Sequence, residues 1–250
     1  MAGFDQPAEN YDETRGGERR GEDYAAALAD LLPIGEEPLL EVGVGTGVVA
    51  LGLVRRGRRV LGLDVSEPML IRASGRLGAV LVRSDATQMA IATSTIAHAI
   101  SVWVVHSVED PEGLFEEVAR VLRPNGSYVV CSAQRPARDD VIGQVIKEMA
   151  EEVDRRRGAP RPQGVTIEEV RRWAAGAGFR CSVRELEREW MSNPAAELAA
   201  IELRRWPAMR ELDESAIDEV TRPAVEALRA LPHVATPRRA TADVLVLRRT

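Results

Sequence analysis

Three glycines that alternate with other residues follow a short apolar run in the first fifth of the chain. The run ends near Glu41, and Gly43, Gly45 and Gly47 come directly after it. Glycine is needed where a backbone turns with positive φ and where a ligand must approach without a Cβ in its way. A helix that begins after such a turn directs its first amide groups toward the ligand. The spacing therefore predicts a strand, a ligand-binding turn and a helix.

A second acidic residue, Asp64, ends the next apolar run, about 20 residues after the glycines. At the end of a parallel strand, its carboxylate is placed to accept hydrogen bonds from both hydroxyls of a ribose. Such a residue serves a nicotinamide cofactor or another nucleoside cofactor equally well. Nicotinamide-dependent enzymes use the spacing G-x-G-x-x-G, whereas Val48 stands here where the third glycine is required. The glycine spacing, together with the lack of a Tyr-x-x-x-Lys pair, disfavours an oxidoreductase.

Histidine and cysteine are the remaining residue types that could carry acid–base or metal chemistry. His106 follows the fourth apolar run and is a candidate general base near neutral pH, although it could equally be a loop residue that shapes a pocket. His98, at the start of that run, is interpreted as structural. Cys131 and Cys181 fall within predicted strands and lack the spacing of a metal or redox site. No metal is expected, and both thiols suit a reducing cytoplasm.

The elements that must position these residues alternate regularly in the first half of the chain. Short apolar and β-branched runs predict buried parallel strands, and amphipathic segments between them predict helices. The predicted strands are 39–42, 60–64, 80–83, 97–105 and 127–131, and the helices are 24–32, 48–56, 67–77 and 112–121. This alternation predicts an α/β fold with a doubly wound parallel sheet. Further along, a capping box of Thr166 and Glu169 predicts a helix, and strands are predicted at 179–186 and 243–247.

Four motifs in order resemble those of class I S-adenosylmethionine-dependent methyltransferases, in particular the small-molecule group related to quinone methyltransferases (methyltransferase type 11). They lie at residues 39–47, 62–70, 84–86 and 121–127. The resemblance implies S-adenosyl-L-methionine as cofactor, with S-adenosyl-L-homocysteine as product. It places Met69 near the adenine, the end of the fourth strand beside the transferring methyl, and Ser101 and Trp103 at the edge of the cofactor. The implied cofactor contacts in these motifs and in the fourth strand are Glu41, Gly43, Gly45, Gly47, Asp64, Val65, Met69, Asp85, Ala86, Ser101 and Trp103.

The resemblance extends to the start of the chain and to the order of the strands. Residues 10–16 resemble the segment that folds over the cofactor, which implies that Tyr11 and Arg15 approach its methionine end. The implied sheet has seven strands in the order 3-2-1-4-5-7-6, with the last strand antiparallel. Strands five and six then lie two spacings apart, about 10 Å, which is too far for a disulfide between Cys131 and Cys181.

The second half of the chain predicts a helical insert between strands six and seven. We expect one methyltransferase domain that comprises an N-terminal cap segment and helix (1–36), the cofactor-binding core (37–135), helices with strand six (136–189), the insert (190–240) and the last strand (241–250). The insert holds Trp190, Met191, Trp206 and Met209 in a chain with 4% aromatic residues. One hypothesis is that the insert and residues 11–16 cover the active site, with Trp206 contacting the acceptor. The alternative is that these side chains only seal the helices onto the sheet.

Composition narrows the class of partner. The net charge of −6 disfavours a nucleic-acid partner, which needs a basic face. No run approaches the roughly 18 apolar residues of a membrane span, and residues 1–23 carry no secretory signal, so a cytoplasmic protein is expected. The sequence predicts methyl transfer to an oxygen, nitrogen or carbon of a small-molecule acceptor. A catalytically inert cofactor-binding protein and a nicotinamide-dependent oxidoreductase are the alternatives, and the oligomeric state stays open.

Overall fold

The computed structural model describes residues 12, 17–32, 37–78, 80–158, 165–204 and 206–250. Its strands are β1 (Leu39–Val42), β2 (Val60–Asp64), β3 (Val80–Arg83), β4 (Ile96–Val102), β5 (Leu122–Pro136), β6 (Phe179–Ser192) and β7 (Thr236–Arg249). Its helices are α1 (Gly17–Ala29), α2 (Val48–Arg55), α3 (Glu67–Arg76), α4 (Pro111–Val121), α5 (Val141–Arg156), α6 (Ile167–Gly176), α7 (Pro194–Glu202) and α8 (Glu214–Ala230). Short 3₁₀ helices cover Val105–Ser107 and Pro207–Glu211.

The strands form one sheet in the order β3-β2-β1-β4-β5-β7-β6. Strand β1 pairs in parallel with both β2 and β4, and β2–β3 and β4–β5 are also parallel pairs. Five parallel strands therefore end at the same edge of the sheet, where ligands of this fold class bind. We refer to it as the carboxyl edge.

Strand β7 runs antiparallel to β6. The amide of Thr250 donates to the carbonyl of Gly178 (3.0 Å), and the hydroxyl of Ser182 donates to the carbonyl of Val246 (3.3 Å). Residue numbers therefore increase along β6 in the direction in which they decrease along β7. The predicted strand order, with its antiparallel last strand, is confirmed. Since β7 separates β5 from β6, Cys131 and Cys181 lie on non-adjacent strands, and both are thiols.

The described chain divides into two compact units. The first comprises residues up to 133, 165–185 and 243–250, and its core includes Leu40, Ile100, Phe115 and Tyr128, each fully buried. The second comprises 134–164 and 186–242, and α5, α7 and α8 surround a core of its own that contains Met149, Met209 and Leu228. No helix in the described ranges is long and apolar enough to cross a bilayer.

The helices of the second unit have side-chain N-caps. Asp140, Asn193 and Asp213 each accept a hydrogen bond from an amide in the first turn of α5, α7 and α8, respectively, at 2.8–2.9 Å. Such a cap satisfies one of the amides that a helix start leaves without a partner. Asp140 is also held by Arg238, which is 5% exposed and donates to Glu197 as well. The ends of these helices are thereby fixed by local polar contacts in addition to the apolar core.

Helices α1 and α2 of the first unit pack at close range because glycines lie at their contact. A Cβ added to Gly21 would lie 2.4 Å from the carbonyl oxygen of Val48, and one added to Gly52 would lie 2.5 Å from the Cβ of Ala25. Contacts this short cannot be made by real side chains, so the two helices approach only where a Cβ is missing.

Gly21→Ala is expected to lower the free energy of unfolding by about 1–3 kcal/mol, because the new methyl group meets backbone that must shift. Gly75→Ala is the matched control, since a Cβ on that α3 residue meets no atom within 4 Å. The control should be neutral or gain up to about 1 kcal/mol from helix propensity. Urea titration of both variants measures the difference. A Gly21 variant as stable as the control would show that the helices can separate at little cost.

Candidate cofactor site

The glycine motif forms a tight turn between β1 and α2. Gly43, Gly45 and Gly47 have φ values of 73°, 53° and 80°, in the left-handed region that side chains other than glycine disfavour. A Cβ on Gly43 would lie 2.3 Å from Val104, whereas one on Gly45 would meet nothing within 4 Å. Gly43 is therefore needed for packing, and Gly45 leaves open space beside the backbone at the carboxyl edge. The predicted strand and helix are therefore observed on either side of this turn, and ligand binding at the turn stays a prediction.

Asp64 ends β2 next to this turn and is bonded to its backbone. Its Oδ2 accepts from the amide of Gly45 (2.8 Å), and its Oδ1 accepts from the amide of Ser66 (2.9 Å). Each carboxylate oxygen can accept two hydrogen bonds, so one acceptor position on each oxygen is left for a ligand hydroxyl. The carboxylate thus connects the glycine turn to the end of β2 and retains the capacity to bind a diol.

Glu41 in β1 is a buried carboxyl group at the same edge. It is 2% exposed, and within the described part of the chain its Oε2 has no hydrogen-bond partner. Burial raises the pKa of Glu41 to about 8, and the negative charge of Asp64 adds to the increase. A buried carboxyl oxygen without a partner is costly unless a donor reaches it. The arrangement therefore suits a cationic ligand group at the end of β1.

The other predicted contacts in the first unit follow β2 and β3 at the carboxyl edge. Met69 on α3 is 5% exposed, while Val65 is 46% exposed. The Oδ1 atom of Asp85 accepts from both the amide and the hydroxyl of Thr87 (2.8 Å each), and Ala86 packs, partly buried, against the core. These residues therefore share an edge of the sheet with the glycine turn.

The residues at the end of β4 are packed against other side chains. Ser101 is fully buried, and its hydroxyl is hydrogen-bonded to that of Tyr128 (2.7 Å), so it is a packing residue of the sheet. Trp103 follows β4 with a φ of 58°, an uncommon conformation for a bulky side chain. The guanidinium of Arg20 lies 4.0 Å from the Trp103 ring centroid, and Tyr24 meets the same ring edge-on at 4.5 Å. Helix α1 is thereby packed against the end of β4.

His106 lies on the 3₁₀ helix that follows β4, and it is exposed. Among the described residues, no three His, Cys, Asp or Glu side chains are grouped so that they could hold a metal ion. Tyr11 and Arg15 lie outside the described residues. Trp206 belongs to the second unit, where it packs, partly buried, against the core of that unit.

A cavity of about 320 Å³ lies at the opposite, amino edge of the sheet and includes Glu37, Arg58, His98 and Arg123 in its lining. Arg123 donates to both oxygens of Glu37 (2.7 Å each), and Nδ1 of His98 is hydrogen-bonded to the Ser127 hydroxyl (2.7 Å). Burial lowers the pKa of His98, and nearby arginines lower it further. This cavity is separate from the cofactor site, because ligands of doubly wound sheets bind at the carboxyl ends of the strands.

Three polar residues that sequence reasoning did not assign also lie at the carboxyl edge. Thr46 lies within the glycine turn, and Asp12 and Arg76 are hydrogen-bonded to it. In the sequence, Asp12 lies within residues 10–16, the segment that resembles the one folding over the cofactor in the methyltransferase family. Contacts between positions so far apart in the chain cannot be read from local spacing.

Comparison with known proteins gives a family match that includes the glycine turn and β2. The model of a protein family described as a methyltransferase domain matches residues 40–130. The demethylmenaquinone methyltransferase of Clavibacter sepedonicus is 32% identical over 141 residues, which cover 53% of this chain and 57% of that protein. The first three curated relatives are covered over only 25–59% of their length.

Solved structures share the fold over nearly the whole chain. A Thermotoga maritima protein, described as a SAM-dependent methyltransferase and a possible histamine N-methyltransferase, has a TM-score of 0.59 at 18% identity, covering 99% of this chain and 98% of that one. The [4+2]-cyclase SpnF has a TM-score of 0.60 at 17% identity, covering 98% and 93%. At these identities the likeness concerns the fold alone. Over residues 40–130 the chain is thus similar to the methyltransferase-domain family, and this region carries the four motifs that resemble those of class I S-adenosylmethionine-dependent methyltransferases.

Proposed function

We propose that the protein transfers a methyl group from S-adenosylmethionine to an oxygen, nitrogen or carbon of a small-molecule acceptor. The observation that carries the proposal is the arrangement at the carboxyl edge of β1 and β2. There the left-handed glycine turn, the Asp64 carboxylate and the buried Glu41 oxygen without a partner lie together. The net charge of −6 favours a small acceptor over a nucleic acid, which needs a basic binding face. We propose that the reaction takes place in the cytoplasm.

The chemistry of these groups fits the parts of the cofactor. The Asp64 carboxylate would accept from the ribose hydroxyls, and the open side of Gly45 would admit the cofactor close to the backbone. Glu41 would accept from the ammonium of the methionine part, because its buried oxygen needs a donor. When bound, the cofactor supplies a methyl group on a sulfonium, which is a good leaving group. The residues therefore have mainly to bind and orient the reactants.

His106 is proposed as the general base for acceptors that must lose a proton. It follows β4, the strand that ends next to β1 in the sheet, and it is exposed. A neutral imidazole at this position would take the proton from an acceptor hydroxyl or amine as the methyl group arrives. The role of Trp206 as an acceptor contact stays a prediction. Its side chain packs, partly buried, against the core of the second unit, whose buried residues lie on helices.

A second candidate function is a reaction other than methyl transfer that uses the same cofactor-binding fold. The likeness to the [4+2]-cyclase SpnF favours keeping this candidate, because a protein named for a cyclisation shares this fold with a TM-score of 0.60. Fold alone does not determine the reaction. The two candidates differ in whether the methyl group leaves the cofactor.

The test combines ligand binding with turnover by the full-length chain. S-adenosylhomocysteine is expected to raise the thermal midpoint, whereas NAD should not. Incubation with S-adenosylmethionine carrying an isotopically labelled methyl group, across a panel of metabolites, should yield an acceptor with the mass of one added labelled methyl. Binding of S-adenosylhomocysteine without any methylated product across the panel would support the second candidate. Stabilisation by NAD alone would contradict both candidates.

A further inference from the structure

We propose that Asp12 is a positioning residue that fixes the glycine turn in the geometry that binds the cofactor. It acts through Thr46 and Arg76, and we call the three residues the Asp12 network. The inference rests on the proposed function, because it concerns the affinity of the same site. Neither the sequence motifs nor the family resemblance assigned a role to any of the three.

The Asp12 network is a closed set of hydrogen bonds between three separate parts of the chain. The hydroxyl of Thr46 donates to Asp12 Oδ1 (2.5 Å), and Nη2 of Arg76 donates to Asp12 Oδ2 (2.5 Å). Nη1 of Arg76 donates to the carbonyl oxygen of Thr46 (2.8 Å). Thr46 is therefore held at its side chain by Asp12 and at its backbone by Arg76, which lies at the end of α3.

Burial and charge make these contacts stronger than ordinary surface pairs. Thr46 is 2% exposed, and the side chains of Asp12 and Arg76 are 13% and 23% exposed. Hydrogen bonds between a carboxylate and a guanidinium are short and roughly twice as strong as neutral ones. Arg72 also approaches Asp12, and Glu18 approaches Arg76, each at 3.7 Å, so two carboxylates face two guanidinium groups.

The position of Thr46 explains why this network bears on the cofactor. Thr46 stands between Gly45 and Gly47, and both glycines have left-handed backbone conformations. The amide of Gly45 donates to Asp64, the proposed ribose acceptor. Glycine loses more conformational freedom on ordering than any other residue. A turn with Thr46 already held in place needs less ordering when a ligand binds, and preorganisation of this kind raises affinity.

A purely structural role would have a different consequence. If the network served only to attach the start of the chain, then breaking it would lower stability without a specific effect on ligand affinity. Glu22→Gln supplies the comparison, because Glu22 on α1 forms an ion pair with Arg56 next to α2 and is not among the partners of Thr46. Both substitutions remove a negative charge from the N-terminal part, Asp12 from beside Arg72 and Arg76 and Glu22 from beside Arg56, but only Asp12 is bonded to the glycine turn.

The experiment measures S-adenosylhomocysteine affinity by titration calorimetry in full-length wild type, Asp12→Asn, Thr46→Val and Glu22→Gln. All measurements are made at a temperature where circular dichroism shows each variant to be folded. We expect Asp12→Asn and Thr46→Val each to weaken binding about tenfold, which corresponds to the loss of one charge-assisted hydrogen bond. The double variant should lose less than the sum of the two single variants, because Asp12→Asn weakens the contact with Arg76, Thr46→Val removes the contact with Asp12, and both contacts belong to one network. Glu22→Gln should stay within about twofold of wild type.

Hydrogen exchange supplies a readout without ligand. The amides of residues 43–47 should exchange faster in Asp12→Asn than in wild type and be unaffected in Glu22→Gln. Wild-type affinity in Asp12→Asn, or an equal loss in Glu22→Gln, would overturn the proposal while leaving the proposed function intact. If wild type itself fails to bind S-adenosylhomocysteine, the proposed function fails and this inference fails with it.

Discussion

Asp64→Ala is expected to abolish most of the thermal stabilisation that S-adenosylhomocysteine gives the wild-type protein. At about 100 times its dissociation constant, a ligand adds roughly 2.7 kcal/mol to the free energy of unfolding. For a chain of this size, the wild-type midpoint should therefore rise by about 5–10 °C. The variant leaves the ribose hydroxyls without their acceptor and also removes the bonds from Asp64 to Gly45 and Ser66.

The quantity compared is the ligand-induced shift of each variant, because Asp64→Ala also lowers the midpoint of the protein alone. Asp218→Ala is the control, since Asp218 is exposed on α8 and forms a surface pair with Arg222. The control should retain the full shift in differential scanning fluorimetry. An undiminished shift in Asp64→Ala would mean that the ribose binds elsewhere in the protein.

The residues of the candidate cofactor site could be predicted from the sequence because the patterns that indicate them are local. The glycine turn, Glu41 and Asp64 depend on residue types within a few positions of each strand end. The periodicity of the runs then gives the parallel sheet. The strand order came from the family resemblance, since alternation alone specifies only a parallel sheet. The glycine turn, Glu41 and Asp64 lie in the part of the chain that the family match covers.

The last three strands were predicted too short for a physical reason. The sequence predicted a helix that ends at 121 and a strand that begins at 127, yet β5 begins at Leu122 and includes the Pro124, Asn125 and Gly126 between them. Asn125 takes a φ of 62°, and the pairing with β4 shifts register between Ile96 and His98, so the strand absorbs the irregularity. Strand β6 continues through charged residues to Ser192 with alternating half-buried positions. Its extent is set by tertiary pairing, which local propensity does not contain.

The site residues that could not be predicted from the sequence are held by contacts between distant positions of the chain. Thr46 and Asp12 are 34 positions apart, and Arg76 and Asp12 are 64 apart, so no local pattern links them. The hydrogen bond between the hydroxyls of Ser101 and Tyr128 on the neighbouring strand was likewise not predicted from the sequence. Which face of β4 a residue takes depends on the packing against α1 and β5, as the contact between Trp103 and Arg20 also illustrates.

Binding of S-adenosylhomocysteine is expected to release close to one proton at pH 7. The pKa of Glu41 is raised to about 8 by burial and by the charge of Asp64, so Glu41 is mostly protonated in the protein without ligand. An ammonium group that donates to the buried Oε2 favours the carboxylate and lowers that pKa, and the proton leaves as the ligand binds. Calorimetry in two buffers of different ionisation enthalpy counts the protons. The release should fall toward zero above about pH 9, where Glu41 is already ionised.

Glu41→Gln tests whether the released proton comes from Glu41, because a glutamine side chain has no carboxyl proton to release. The variant should release no proton at pH 7 and should bind about 10- to 100-fold more weakly, because a charged hydrogen bond is lost. Stability without ligand provides a second measure. A folded-state pKa raised from 4.5 to about 8 means that the folded protein holds a proton that the unfolded chain has lost between these values. Wild-type stability should therefore fall as the pH rises through this window, and Glu41→Gln should fall less. Equal proton release in the variant would show that another group, rather than Glu41, responds to the ligand.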